Sequence, residues 1–475
     1  MATVSRAAMI SGLGAMIAGC GGSGAEEQGA PVFPVRAAVE SLPSPAGPRS
    51  GEPNLFATGD RIYLSWIEAV EEAASPNESD TTRDPEDPVH ALRFAAWDGE
   101  TWSEPGTIAA GRGWFVNWAD FPSLVALPDG SLAAHWLVRT GPETYAYEVR
   151  IARSPDGGRT WSGPIVPHDD GTPTEHGFVS LFPGSRGGLG AVWLDGRKFA
   201  AASSRQGAPP PGSGTGPGTG GAEAPSEDED YAPGAEMTLR AAVIGAEGEV
   251  GDDALLDGRA CDCCQTAAAM TSRGPVVAYR DRSADEIRDI AVVRLVDGRW
   301  TEPRPLHADG WVISACPVNG PAIAARDAEV AVAWFTAARD TLQVRIAFSG
   351  DAGATFGPPG RVDEGAPLGR VDVELLEDGS ALVTWLEGQH SETRILARRI
   401  ASGGQAGPAV FVAPASPERA SGFPRAAVLG NRVVFAWTEP GDPSRIRLAI
   451  AFLEDFLLSD GSGRPAAEPD AHRAP

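Results

Sequence analysis

The sequence predicts an all-β fold, a β-propeller of four-stranded blades. Seven blades are favoured, with six as the alternative, and a strand from the N-terminus closes the ring. Three observations predict it. A short apolar run ending in an aromatic residue recurs as IYLSW, LAAHW, LGAVW, PVVAY, VAVAW, ALVTW and VVFAW, ending at Trp66, Trp136, Trp193, Tyr279, Trp334, Trp385 and Trp437. Their spacings are 70, 57, 86, 55, 51 and 52 residues, so the basal period is just over 50, the length of a propeller blade. Helical periodicity is nowhere sustained. A chain of 475 residues has room for two or three ordinary domains or one large β unit, and the repeat selects the latter.

Each copy runs in the same order. An apolar stretch reaches a turn such as LPDG, LEDG or LGN, and the aromatic-ended run follows. A third alternating run comes next, such as YEVRIARS, RDIAVVRL, LQVRIAFS or IRLAIAFL, then a tight turn and a Pro-containing run such as GPIVPHDDG or PRPLHADG. Four short strands punctuated by Gly, Asp and Pro make one blade. The seventh copy ends before a fourth strand, and APVFPVRAAVE near the N-terminus reads as the missing one. Strands from both termini in one blade leave no open edge. The propeller then spans residues 31–458. Insertions at 70–89, which is acidic, and at 204–235, which contains PPPGSGTGPGTGG and SEDED, cannot bury enough apolar surface to order themselves, and the tail 459–475 reads the same way.

Two turns are more specific. Ser154 to Trp161 and Ser349 to Phe356 both fit S-x-D-x-G-x-T-aromatic, with weaker versions at WDGETW (97–102) and VDGRW (296–300). In such a turn the Asp carboxylate accepts bonds from the turn's own amides, Gly takes positive φ, and the aromatic residue packs back between strands. These turns resemble the Asp-box (BNR) repeats of the sialidase superfamily, over most of residues 50–455. The resemblance implies a propeller, and it implies activity far less, because many propellers with Asp boxes are not catalytic. Seven blades also differ from the six of sialidases. For an exo-sialidase or related glycoside hydrolase the resemblance implies an arginine triad, a Tyr with a Glu partner, and an Asp acid/base. The family's opening Phe/Tyr-Arg-Ile-Pro motif is absent; Arg36 in VFPVRAAV sits in another setting. Asp281 and Glu387 are the catalytic candidates on this reading.

The first 20 residues, MATVSRAAMISGLGAMIAGC, carry one Arg and then an apolar run too short for a permanent membrane helix. Small residues before Cys20 resemble a lipoprotein lipobox, so residues 1–20 read as a signal peptide with Cys20 as lipid anchor, and 21–30 as a flexible tether. An ordinary signal peptide is the alternative. The expected location is the bacterial cell envelope, periplasmic or surface-exposed, with the membrane as partner through the lipid. With 39 Lys plus Arg against 64 Asp plus Glu, a net charge of -25 and no basic block, nucleic acid is not an expected partner.

Strand parity sorts the remaining residues. The first strand of a blade starts, and the second ends, at one rim; the Asp-box turns lie at the other. Two positions after the repeat aromatic stand Glu68, Val138, Asp195, Asp281, Thr336, Glu387 and Glu439. They read either as polar strand ends or as a carboxylate ring around the channel mouth. Arg197, Arg280 and Arg282 share that rim, ready for ligand or for salt bridges. First-strand starts add GWFVNWADFP with Trp114, Trp118 and Asp120, TEHGF with His176, ACDCCQT, and SACPVNGP with Asn319. The tryptophans suit sugar faces or blade packing. Counting 18 residues back from Tyr279 and from Trp334 gives Cys261 and Cys316, so Cys261, Cys263, Cys264 and Cys316 converge from adjacent blades. Three readings stay open: disulfides, most simply through Cys316; a copper(I) or zinc site of thiolates with His176; or free, redox-active thiols. The leading function is a rim that binds a ligand, a glycan or a soft metal, with an envelope interaction scaffold as a further alternative.

Overall fold

A computed structural model describes residues 39–70, 87–184, 187–206, 235–389 and 392–459. The signal segment, Cys20, the tether, the insertion residues 71–86 and 207–234, and residues 460–475 lie outside the described residues. Seven antiparallel sheets follow one another along the chain. β1 (Glu40–Leu42) comes first in the chain, and the first blade follows it: β2 (Ser50–Ala57), β3 (Ile62–Val70), β4 (Val89–Trp97) and β5 (Gly106–Gly111). Blade two holds β6 (Ser123–Ala126), β7 (Leu132–Arg139) and β8 (Tyr147–Ser154), with Ile165 bridging Ile151 in place of a full outer strand. Blade three is β9 (His176–Pro183), β10 (Leu189–Asp195), β11 (Thr238–Ile244) and β12 (Ala254–Asp257).

Blade four is β13 (Ala267–Thr271), β14 (Gly274–Arg280) and β15 (Ile290–Val296), edged by the short β16 (Arg299–Trp300) and β17 (Arg304–Pro305). Blade five is β18 (Ala322–Arg326), β19 (Glu329–Thr336), β20 (Gln343–Ser349) and β21 (Gly360–Arg361). Blade six is β22 (Pro367–Leu375), β23 (Ala381–Gln389), β24 (Glu392–Ile400) and β25 (Val410–Ala415). Blade seven is β26 (Arg425–Leu429), β27 (Arg432–Glu439) and β28 (Arg445–Phe452), and its outer strand is β1 (Glu40–Leu42). The ring closes as expected. The closing strand begins only at the last residue of the APVFPVRAAVE segment, and residues 30–38 of that segment lie outside the described residues.

Packing between blades supplies the core. Leu55, Leu64 and Trp66 of blade one join Ala427, Val434 and Ala436 of blade seven in one buried cluster. Ala278, Ile290 and Val292 of blade four join Val330, Val332 and Trp334 of blade five in another. Both Asp boxes have the expected bonding. Asp156 accepts from the Thr160 amide (2.9 Å) and hydroxyl (2.7 Å), and Asp351 accepts from those of Thr355 at the same two distances. Gly158, at φ 93°, has no room for a Cβ, which would sit 2.3 Å from the Phe94 ring. Trp161 meets that same ring edge-on from the next blade at 5.8 Å.

One element departs from expectation. A ten-residue helix, α1 (Arg197–Gln206), follows β10 and overlaps the segment read as an insertion from residue 204. The Asp195 carboxylate accepts the Arg197 amide at 3.1 Å, which caps a run rich in Arg, Lys and Ala, all good helix formers. Such a run is too short for its periodicity to stand out.

Candidate functional site

Register puts the sequence-selected residues on one rim. His176 at the start of β9 faces Asp195 at the end of β10, Pro367 faces Glu387, and the Cys261 amide donates to the Arg280 carbonyl at 3.0 Å. The carboxylates two residues after the repeat tryptophans, however, do not form a ring around the channel. Residues i and i+2 of a strand share a face, which lets the carboxylates after Trp66, Trp193 and Trp385 turn toward their own tryptophans. The indole N–H of Trp66 donates to Glu68 (3.0 Å), that of Trp193 to Asp195 (2.9 Å) and that of Trp385 to Glu387 (2.6 Å). In blade five, where the position is Thr336, the Trp334 indole finds Asp309 instead at 2.7 Å. In blade two the position is Val138, and the buried Trp136 indole nitrogen has no partner among the described residues. Glu439 pairs with Arg447 at 2.6 Å. Glu387 also accepts the Ala366 amide at 2.6 Å. Asp281 caps the Arg282 amide at 2.6 Å, and burial together with the charge of Asp257 lifts its carboxyl to about 6.

The cysteines do converge. Sulfur atoms of Cys261, Cys263 and Cys264 lie within 4.8 Å of one another. Cys261 and Cys264 are 3.5 Å apart, and the Cys316 side chain, from the neighbouring blade's leader, adds to the upward push on the Cys263 thiol. No sulfur pair among them is bonded; an S–S bond is about 2 Å long, so the expected disulfide is not what this structure contains. Arg288 donates to the Cys261 sulfur at 3.4 Å and is held by Glu286 at 2.9 Å. Burial opposes ionisation of Cys261, yet bonds from Cys263 and Cys264 and the charges of Arg288 and Arg280 outweigh it and hold this thiol well below its ordinary range. Burial and those same sulfur contacts push Cys263 up.

The arginines around the cluster are engaged. Arg280 spends its donors on the carbonyls of Asn319, Phe335 and Arg288 and lies over the Trp311 ring at 4.8 Å. Arg282 pairs with Asp262 at 3.0 Å and Glu286 at 2.9 Å. Arg197 grips Asp195 at 2.7 Å and also contacts Asp253. His176, expected beside the thiolates, has both ring nitrogens committed elsewhere: Nδ1 to the Thr174 carbonyl at 2.9 Å and Nε2 to Asp170 at 3.1 Å. His168 stacks on it at 3.9 Å and shares the same carboxylate.

GWFVNWADFP makes contacts with several blades. Trp114 is buried against Trp136 at 5.7 Å, a packing role. Trp118 reaches the far blades, stacking on Phe423 at 6.1 Å, while the Ala119 carbonyl accepts from Gln265 at 2.6 Å. Asp120 ties blades two and three by accepting the Phe178 amide at 2.7 Å. Asn319 ties blades five and six by accepting the Arg370 amide at 2.7 Å.

Beside the sulfurs stands a group that sequence reasoning missed. The Tyr147 hydroxyl lies 2.9 Å from Asp120 and 2.7 Å from Glu175. One hydroxyl proton serves one carboxylate, so the other carboxyl must itself be protonated to bond. Burial pushes Asp120 up to about 7, against bonds from Phe178 and Tyr147, and Glu175 up to about 8. Tyr147 is sealed under Phe115 at 3.9 Å, whereas Glu175 and Cys263 keep partial exposure. Burial raises the Tyr145 hydroxyl to about 12, and the charges of Glu175, Cys316 and Cys263 add to that. With only 5 tyrosines in the chain, Tyr145-Ala-Tyr147 was the available sequence signal.

No family model matches the chain, and no curated protein matches it. Among solved structures, it is similar to a protein of unknown function from Dyadobacter fermentans at 16% identity, covering 89% of this chain and 99% of that one, with a TM-score of 0.46. It is similar also to the intramolecular trans-sialidase from Ruminococcus gnavus in complex with oseltamivir carboxylate, at 11% identity over 90% and 97% of the chains, with a TM-score of 0.41. Likeness at this level carries nothing about chemistry.

Proposed function

We propose that the rim pocket binds a soft metal ion, copper(I) or zinc, through Cys261, Cys263 and Cys264, with Cys316 completing the set from the adjacent blade. The observation behind this reading is the three sulfurs within 4.8 Å of one another, all on a four-residue turn. Thiolates favour these ions, and four sulfurs together supply the tetrahedral shell that zinc takes. Elemental analysis of the full chain purified anaerobically without chelator tests the reading. About one equivalent of copper or zinc is expected, lost in Cys261→Ser together with Cys264→Ser; metal-free protein with four titratable thiols in the propeller defeats it.

Glu175 favours a second reading, a glycan-processing site. A partly buried carboxyl protonated near neutral pH is suited to general-acid work. Hydrolysis of a fluorogenic glycoside, abolished in Glu175→Gln, supports it, and inactivity toward sialosides, uronides and neutral glycosides alike counts against it. The same proposal places the chain in the cell envelope, lipid-anchored at Cys20; a Cys20→Ser chain that still fractionates with membranes contradicts the anchor.

A further inference from the structure

Arg370 is unlike the other buried arginines of the rim. It sits at a bulge in β22 with φ 53°, a conformation a side-chain-bearing residue rarely adopts, and is 8% exposed. One nitrogen, Nη1, takes all its side-chain hydrogen bonds: the Ser421 hydroxyl at 2.7 Å and the Glu418 and Gly422 carbonyls at 3.1 Å each. Nε and Nη2 have no partner among the described residues, and neither is sealed from solvent. No carboxylate pairs with this guanidinium among the described residues. Its plane lies over the Trp118 ring at 4.7 Å.

A buried cation without an anion is costly. Arg280 shows the contrasting solution, with every edge turned to a carbonyl. Arg370 instead leaves open the planar Nε/Nη2 edge that matches two oxygens of a carboxylate, sulfate or phosphate. Burial, and then the neighbouring charge of Arg419, lower its pKa to about 10, with no acid acting in the other direction. It therefore stays cationic at neutral pH, with a second cation close by. The Trp118 face beneath adds a flat apolar wall beside the charge.

We infer that Arg370, supported by Arg419 and walled by Trp118, is an oxyanion-binding subsite of the rim, taking a carboxylate or a sulfate or phosphate ester group of the ligand. This subsite stands on Arg370 and does not depend on metal at the cysteines.

The test is titration of the full chain with sodium sulfate, phosphate, acetate and glucuronate at constant ionic strength against chloride, read by calorimetry. Saturable binding of at least one oxyanion is expected. Arg370→Lys keeps the charge and removes the two-donor edge, and should weaken that binding about tenfold or more, as loss of one charge-assisted bond does. Arg419→Gln should weaken it by a smaller factor. Preference for acetate and glucuronate assigns the carboxylate source, and preference for sulfate and phosphate assigns the ester source. Absence of saturable binding, or affinity unchanged in Arg370→Lys with thermal stability retained, overturns the inference. Measuring metal content on the same samples separates its failure from that of the thiolate site.

Discussion

The shared proton among Asp120, Tyr147 and Glu175 makes a definite demand on pH. In the unfolded chain both acids ionise near pH 4, whereas in the fold Asp120 does so at about 7 and Glu175 at about 8. The native state therefore binds more protons between these values. The stability these two acids contribute is full at the acid end of the window and is lost as pH rises from about 4 to about 8. Thermal unfolding across that range should show the decline, flattened in Asp120→Asn and in Glu175→Gln; identical slopes in all three proteins would remove the shared proton. Asp120 and His176 were visible in the sequence as polar residues at strand starts. Their partners were not, because Tyr147 lies 27 residues from Asp120 and 28 from Glu175, and Asp170 had no periodic marker. The carboxylates after Trp66, Trp193 and Trp385 were equally visible, but their side chains answer an indole N–H within their own strand.

Inner strands begin with a recurring distortion. Phe178, Arg370 and Gly422, each 15 residues before the repeat tryptophan of its blade, take φ of 53°, 53° and 60°, and Glu52 and Val318, one position nearer and one farther, take 52° and 47°. Bulges of this kind re-aim side chains near functional rims. They let one blade's side chain reach the next blade's amide, as Asp120 reaches Phe178 and Asp372 reaches Ala426 at 2.8 Å. Gly177 is the tightest such joint: a Cβ there would lie 1.9 Å from the Asp120 carboxylate. Gly177→Ala should break the joint and cost about 1–3 kcal/mol, the penalty for stranding a buried polar group, measured by denaturant unfolding. A cost within error of zero would show the joint to be slack. Strand order, turns and Asp boxes were legible because alternation and turn chemistry are local. The bulges and helix α1 were not, because they depend on caps and on contacts from other blades.

The ring as a whole explains why cysteines 55 positions apart in the sequence can share a site, since Cys261 and Cys316 open consecutive blades. Repeat spacing alone located that convergence, and the seven-blade count and N-terminal closure were legible for the same reason. The state of the sulfurs was not legible, because disulfide, metal and free thiol place cysteines in the same compartment and differ only over an ångström or two. X-ray absorption at the metal edge of anaerobically loaded full-length protein resolves that distance. The account predicts a shell of three or four sulfur atoms, at about 2.3 Å if zinc is bound, losing one sulfur in Cys316→Ser if that residue completes the set. A first shell of nitrogen and oxygen alone would contradict it.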